Sequence, residues 1–118
     1  MDYRNLHISG YVGIAPTKTL AEVAEQVGML VEGLIMKEDA PGTYDEYPSF
    51  SGQVIGLRFA LLGIPDEGLP DPDPPGGHYQ LQVLPTRVPN EPVIECDISE
   101  FITSLLLARS DLTAWAAK

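Results

Sequence analysis

From Leu6 to Ile14 apolar positions alternate with small or polar ones, so Leu6, Ile8, Val12 and Ile14 share one side of an extended chain. A period of two predicts a half-buried strand, and Pro16, which cannot donate to a ladder, ends it. The period then changes. Leu20, Val23, Ala24, Val27, Leu30, Val31 and Leu34 recur at spacings of three and four, the stripe of an amphipathic helix. Thr19-Leu20-Ala21-Glu22 has the form of a capping box, in which hydroxyl and carboxylate each satisfy a free backbone N–H. Glu22, Glu25, Gln26 and Glu32 lie off the stripe and are expected in solvent, and Gly33 suits a C-terminal stop.

Leu34-Ile35-Met36 fits either a helix end or a short strand, and Ala40-Pro41-Gly42 fits a turn. Residues 43–50 are rich in β-favouring side chains, but Pro48 makes them a poor central strand. Ser51-Gly52 reads as a hairpin turn. Residues 53–64 then form the strongest strand, with Ile55, Leu57, Phe59 and Leu61 on one side and Gly56, Arg58 and Ala60 on the other. Residues 65–77 contain five prolines and three glycines, which exclude helix and ladder strand and predict a long, exposed acidic loop. Residues 78–84 alternate again, with Tyr79, Leu81 and Val83 opposite His78, Gln80, Gln82 and Leu84.

A short strand over 92–96 leads into a last helix that opens at Asp97-Ile98-Ser99-Glu100, where the carboxylate can cap. Ile98, Phe101, Ile102, Leu105 and Leu106 form its core stripe. Ser110 and Asp111 break it before a final turn carrying Leu112 and Trp115. The order is β-α-(β)-β-β-β-α. Short links between consecutive strands predict antiparallel pairing. The expected fold is a single α+β domain over 1–118, with a four- or five-stranded mainly antiparallel sheet and two amphipathic helices packed on one face.

A chain of 118 residues, 44% of them hydrophobic, can bury a core without disulfides or metal. Its one cysteine, Cys96, permits no internal disulfide. The polar start Met1-Asp2-Tyr3-Arg4-Asn5 lacks the basic-then-apolar pattern of a signal peptide, and no apolar run is long enough to span a bilayer, so a cytoplasmic location is expected. Charge changes the picture most. Seventeen Asp and Glu oppose seven Lys and Arg, giving a net charge of −10. Nucleic acid and anionic membranes repel such a chain, whereas a basic protein is attracted and steered. The same charge also serves solubility alone.

Little of this sequence has the arrangement catalysis needs. Cys96 lies between Glu95 and Asp97, which raise a thiol pKa against the lowering effect of a helix N-terminus, and a buried structural cysteine is expected. His7 and His78 show no zinc-ligand spacing, and His7 is expected at the surface. Asp66, Glu67, Asp71 and Asp73 could offer oxygens to calcium, but the intervening prolines oppose a closed cage. Gly10-Tyr11-Val12-Gly13 lacks the third glycine of a phosphate loop, and Gly-x-Ser-x-Gly is absent. No catalytic residue and no cofactor are therefore expected.

One constellation remains. Glu38, Asp39, Asp45, Glu46, Asp66, Glu67, Asp71 and Asp73 fall in an interval whose only base is Arg58, with Tyr44, Tyr47 and Phe50 interleaved. Acids complement Lys and Arg, and aromatics supply contact area. Glu38, Asp39, Tyr44, Asp45, Glu46, Tyr47, Asp66, Glu67, Asp71 and Asp73 are thus the candidate partner-binding residues. The alternative is two solvated loops whose tyrosines cover the sheet.

The layout resembles that of small immunity proteins of bacterial polymorphic-toxin and contact-dependent growth inhibition systems. The residues that carry it are the opening strand Leu6–Ile14, the capped helix from Thr19, and the closing run Val93-Ile94-Glu95-Cys96-Asp97-Ile98-Ser99-Glu100-Phe101. The resemblance implies a cytoplasmic, non-enzymatic protein that binds a cognate toxin domain, often a nuclease, and blocks its active site. It assigns no contact residues. A second expectation, from a different class, is a small-ligand-binding or regulatory α+β domain with a pocket between helices and sheet. A third is a small enzyme using scattered acids and His78. Exposed sheet edges also permit a homodimer.

Overall fold

The computed structural model describes residues 6–44, 47–64, 77–86 and 94–117. In chain order the elements are β1 (Leu6–Ile14), α1 (Leu20–Gly28), β2 (Lys37–Glu38), β3 (Ser49–Val54), β4 (Leu57–Leu62), β5 (Tyr79–Pro85), β6 (Ile94–Asp97), α2 (Ser99–Arg109) and β7 (Ala114–Ala116). Among the described residues the strands form one seven-stranded sheet of order β2-β3-β4-β5-β1-β6, with β7 also on β1. The class is α+β and the pairing is antiparallel except between β1 and β6.

Alternation along each strand decides which face is covered. Paired residues share a face, so the registers Gly52↔Phe59↔Val83↔Gly10 and Phe50↔Leu61↔Leu81↔Val12 put these positions on one side. Both helices pack there. Val23 and Val27 of α1 and Leu106 of α2 are fully buried with Val12, Ile14, Leu61, Leu81 and Val83, and Ile102 and Phe59 are nearly so. Each such side chain contributes roughly 1.5–3 kcal/mol of burial free energy. Ser51, Arg58, Ala60, Gln82 and Tyr11 occupy the opposite, helix-free face by the same alternation.

Strand β1 holds this arrangement together. Its inner edge pairs with β5 through Gly10–Ile14. Its outer edge takes two short strands in turn: β6 along Leu6–Ser9, then β7 along Val12–Ile14. Between them the Tyr11 N–H meets no strand. It donates instead to Ser99 Oγ at 2.9 Å. Ser99 is fully buried, and its own N–H donates to the Asp97 carboxylate at 2.9 Å. Asp97 thus braces the start of α2 from one residue before the N-cap, which is Ile98 rather than the expected Asp97 and makes no side-chain cap bond itself. Gly10 lets the helix start approach: a Cβ there would sit 3.2 Å from Ile98 Cγ1.

Several boundaries differ from the sequence reading. The hairpin turn falls at Ile55-Gly56, not at Ser51-Gly52. Ile55 (φ 49°) and Gly56 (φ 76°) both adopt the left-handed region, the signature of a type I′ turn. Gly52 instead lies within β3, where any Cβ would collide with the Ile35 carbonyl oxygen. Helix α1 stops at Gly28 rather than running to Leu34, because the Met29 N–H bonds back to Gln26 and Val27. Leu30 and Leu34 still reach the core from the turns that follow. The strand near Leu34-Ile35-Met36 forms later, at Lys37–Glu38.

Residues 114–116, expected in a final turn, are strand β7, which fills the outer edge of β1. Cys96, expected buried, is exposed because β6 lies at the sheet margin with all four residues in solvent. Phe101, assigned to the core stripe, is 61% exposed, since α2 seats Ser99, Ile102 and Leu106 instead.

Ser99→Ala keeps the volume of the site but strands the Tyr11 N–H in a dry place. A loss of about 1–3 kcal/mol is expected, measured by chemical denaturation. Undiminished stability would show that Tyr11 finds another acceptor.

Candidate functional site

The candidate residues that lie among the described ones do not share one face. Glu38 pairs with Phe50, so it flanks the helix-bearing face and is exposed. Asp39 turns the other way. Its two carboxylate oxygens accept from Ser49 Oγ at 2.7 Å and Ser51 Oγ at 2.6 Å, so it staples the start of β3 rather than waiting in solvent. Tyr44 is half-buried, bridges to Tyr47, and lies under the Arg58 guanidinium at 6.0 Å. Tyr47 is 41% exposed. Asp45, Glu46, Asp66, Glu67, Asp71 and Asp73 lie outside the described residues, as does the 65–77 loop reading apart from Gly77.

Other exposed acids lie on α1 and the turn after it, at positions expected simply in solvent. Helix α1 stands as a ridge on the sheet. Its buried stripe is Val23, Ala24 and Val27. Glu22, Glu25 and Met29 lie on its outer side, and Met29 is 68% exposed. The turn after it adds exposed Glu32 and Ile35, the latter 66% exposed. An apolar residue off the stripe was the available signal, and Met29 and Ile35 both carry it.

A groove runs along each flank of the ridge. One, of about 310 Å³, separates α1 from α2 and is lined by Glu22, Glu25, Gln26, Met29 and Arg109. The other, also about 310 Å³, lies between α1 and the segment 34–36 with Phe50 behind it. Beneath both, the space between helices and sheet is filled by the core side chains.

The N-terminal end of the ridge is pinned electrostatically. Thr19 and Glu22 form the full capping box that their spacing predicts. Lys18 reaches Asp111 at 3.2 Å, and Gln26 donates to the same carboxylate at 3.4 Å, which ties α1 to the turn after α2. Tyr79 donates from below to the Lys18 carbonyl at 2.8 Å. These contacts move the titrations. Hydrogen bonding by the Thr19 backbone N–H and then its side chain lowers the Glu22 pKa. The Lys18 contact and then Gln26 lower that of Asp111. Burial and then the Glu22 charge raise that of Tyr79.

The helix-free face has different chemistry. Trp115 lies over Gly13, where any Cβ would collide with the indole, and the His78 ring meets it at 5.2 Å. His78 Nδ1 and Arg58 Nε are buried without a hydrogen-bond partner. Among the described residues, no three His, Cys, Asp or Glu gather as a metal site, and no helix is long and apolar enough to cross a membrane.

Both lowered carboxylates have folded pKa values below their unfolded ones. Their contribution is present above the ordinary carboxylate range and is lost as pH falls through the folded values. Thr19→Ala removes the hydroxyl but keeps the backbone N–H that lowers the Glu22 pKa most, so it should raise the Glu22 titration only part of the way and fray the first turn of α1, both read by NMR. A Glu22 titration unmoved by the substitution would contradict the capping account. No protein-family model matches the chain and no curated protein is similar to it in sequence, so the reading of this site rests on its own geometry.

Proposed function

We propose that this chain is a non-enzymatic acidic binding protein that neutralises a basic protein partner, acting in the cytoplasm as an immunity protein against a bacterial toxin domain. The observation that carries the reading is the setting of Met29 and Ile35. They are 68% and 66% exposed; Met29 shares a groove lining with Glu22 and Glu25, Ile35 shares one with Glu25, and Glu32 is exposed in the turn between them. A helix needed only to cover the sheet gains nothing from apolar side chains on its outer side. A helix that meets a partner gains contact area from them, and carboxylates around them select Lys and Arg.

The net charge of −10 adds long-range attraction to such a partner. Where the partner is a nuclease toxin, carboxylates present the charge that its cationic groove meets on phosphates. Among the described residues, Glu38 is the acid of that interval that is exposed on the helix-bearing face, paired with Phe50. Asp39, already bonded to two serines, contributes to folding rather than to contact.

Capture from a host lysate at low salt, identification of the bound protein and co-expression with it test this. The expected partner is basic, released by salt, and harmful to cells unless this chain is present. Reversing Glu25, Glu32 and Glu38 to Lys should slow its association roughly tenfold or more while leaving folding intact, since all three are exposed. A captured partner that is not basic, or one whose association ignores the three reversals, would overturn the reading.

A further inference from the structure

We infer that the outer face of α2 is a self-association surface, on which a second copy of this chain packs its own α2 in the antiparallel sense. Helix α2 is apolar on two sides. Its inner side is Ser99, Ile102 and Leu106, all buried against the rest of the fold. Its outer side carries Phe101, Ser104 and Ala108, all exposed, with Leu107 exposed beside them. Phe101 is 61% exposed and Leu107 54%. Phe101 and Ala108 are seven residues apart, almost two turns, so they lie one above the other with Ser104 between them. A helix that only covers a sheet carries charge on its outer side, as α1 does with Glu22 and Glu25. On α2 no charged residue stands between Glu100 and Arg109. An exposed phenyl ring and leucine on a charge-free stripe are apolar surface that the fold leaves uncovered.

This face complements itself when reversed. In a two-fold contact residue i meets j and j meets i. With the axis between Ser104 and Leu105, Phe101 of each copy meets Ala108 of the other, a ring over a methyl group. The small Ser104 side chain near the axis lets the two helices approach to about 8 Å. Glu100 of each copy then stands level with Arg109 of the other, which avoids like charges at both ends, and the two helix dipoles run in opposite directions. A parallel pairing sets Phe101 against Phe101, leaves Ala108 facing Ala108, and brings Glu100 level with Glu100.

Charge confines the contact to this face. Two copies of a chain with net charge −10 repel each other at long range. Meeting through the α1 ridge brings the exposed Glu22 and Glu25 of both copies together. Meeting through the β6 margin brings the exposed Glu95 of both copies together. The outer face of α2 brings one acid and one base per copy, at opposite ends of the helix, with apolar surface between them.

Sedimentation equilibrium of the full chain tests this, with reductant present because Cys96 is exposed and a disulfide would mimic the contact. A small apolar interface gives a reversible dimer with a dissociation constant of roughly 10–100 µM. Raising salt from about 0.1 M to about 1 M should tighten it severalfold, because salt screens the repulsion between acidic copies. Ala108→Glu puts a carboxylate under Phe101 of the other copy, and Phe101→Ser removes the ring. Each should weaken the dimer at least about tenfold, a typical loss for a central contact. Both positions are exposed, and denaturation midpoints close to the parent's at dilutions where the parent is monomeric show that the variants fold.

A sample mixing isotope-labelled and unlabelled chains reads the orientation. NOEs should join the Phe101 ring to the Ala108 methyl of the other copy, a pair that within one helix lies about 10.5 Å apart and gives none. A chain that stays monomeric up to about 1 mM, or a dimer that ignores both substitutions or loosens with salt, overturns the assignment. None of these outcomes bears on the acidic-binder reading, which rests on α1 and the turn after it.

Discussion

The outer edge of β1 is the constraint on which the rest of the molecule depends. One strand of nine residues must satisfy β5 on one side and both β6 and β7 on the other. Two short strands on one edge leave a gap, and a backbone N–H stranded in a buried gap costs a kcal/mol or more, on the order of an unmade hydrogen bond. Ser99 closes it by accepting from Tyr11, and Asp97 orients Ser99. Because Ser99 is also the first residue of α2, the same contact fixes where that helix starts. The eleven residues of α2 then carry the chain along β1 and return it as β7.

Placing α2 over β1 leaves β3 and β4 for α1, which is short and lies between two grooves. Its buried stripe is only Val23, Ala24 and Val27, so most of its circumference faces outward. The turn after it seals the sheet by dropping Leu34 into the core and pressing the Ile35 backbone onto Gly52. That geometry turns the Ile35 side chain out. The exposed acids Glu22 and Glu25 on the ridge then lie beside apolar surface as well as water. Charge supplies reach and selectivity in such an arrangement, while the apolar surface supplies the affinity that survives at physiological salt.

Much of this was legible from periodicity. The alternation of Leu6–Ile14 and of 79–85, the capping box at Thr19, and the carboxylate at Asp97 all mark elements that the fold contains. The misplaced elements share a physical cause. Ser51-Gly52 looks like a turn because glycine next to serine favours turns, yet Gly52 is there for close approach of another backbone. The real turn contains Ile55 at φ 49°, a conformation that costs a β-branched residue about 1–2 kcal/mol and that no local propensity points to. Cys96 is exposed because β6 lies at the sheet margin, which only strand order decides, and Phe101, on the stripe by spacing, is exposed because α2 seats Ser99, Ile102 and Leu106 instead.

The site was less legible still, because it combines residues distant in sequence. Glu25 shares a groove with Ile35, Met36 and Phe50 only through the packing of α1 beside the segment 34–36. Counting acids along the chain favoured the densest interval, whereas the structure groups acids by face and separates Glu38 from its neighbour Asp39. Hydrogen exchange of the chain bound to its captured partner, compared with the free chain, tests the central claim most directly. The account predicts slowed exchange over residues 20–38, covering the ridge and the groove wall. Protection concentrated instead on the helix-free side, at the Tyr11, Arg58, Gln82 and Trp115 positions, would contradict it.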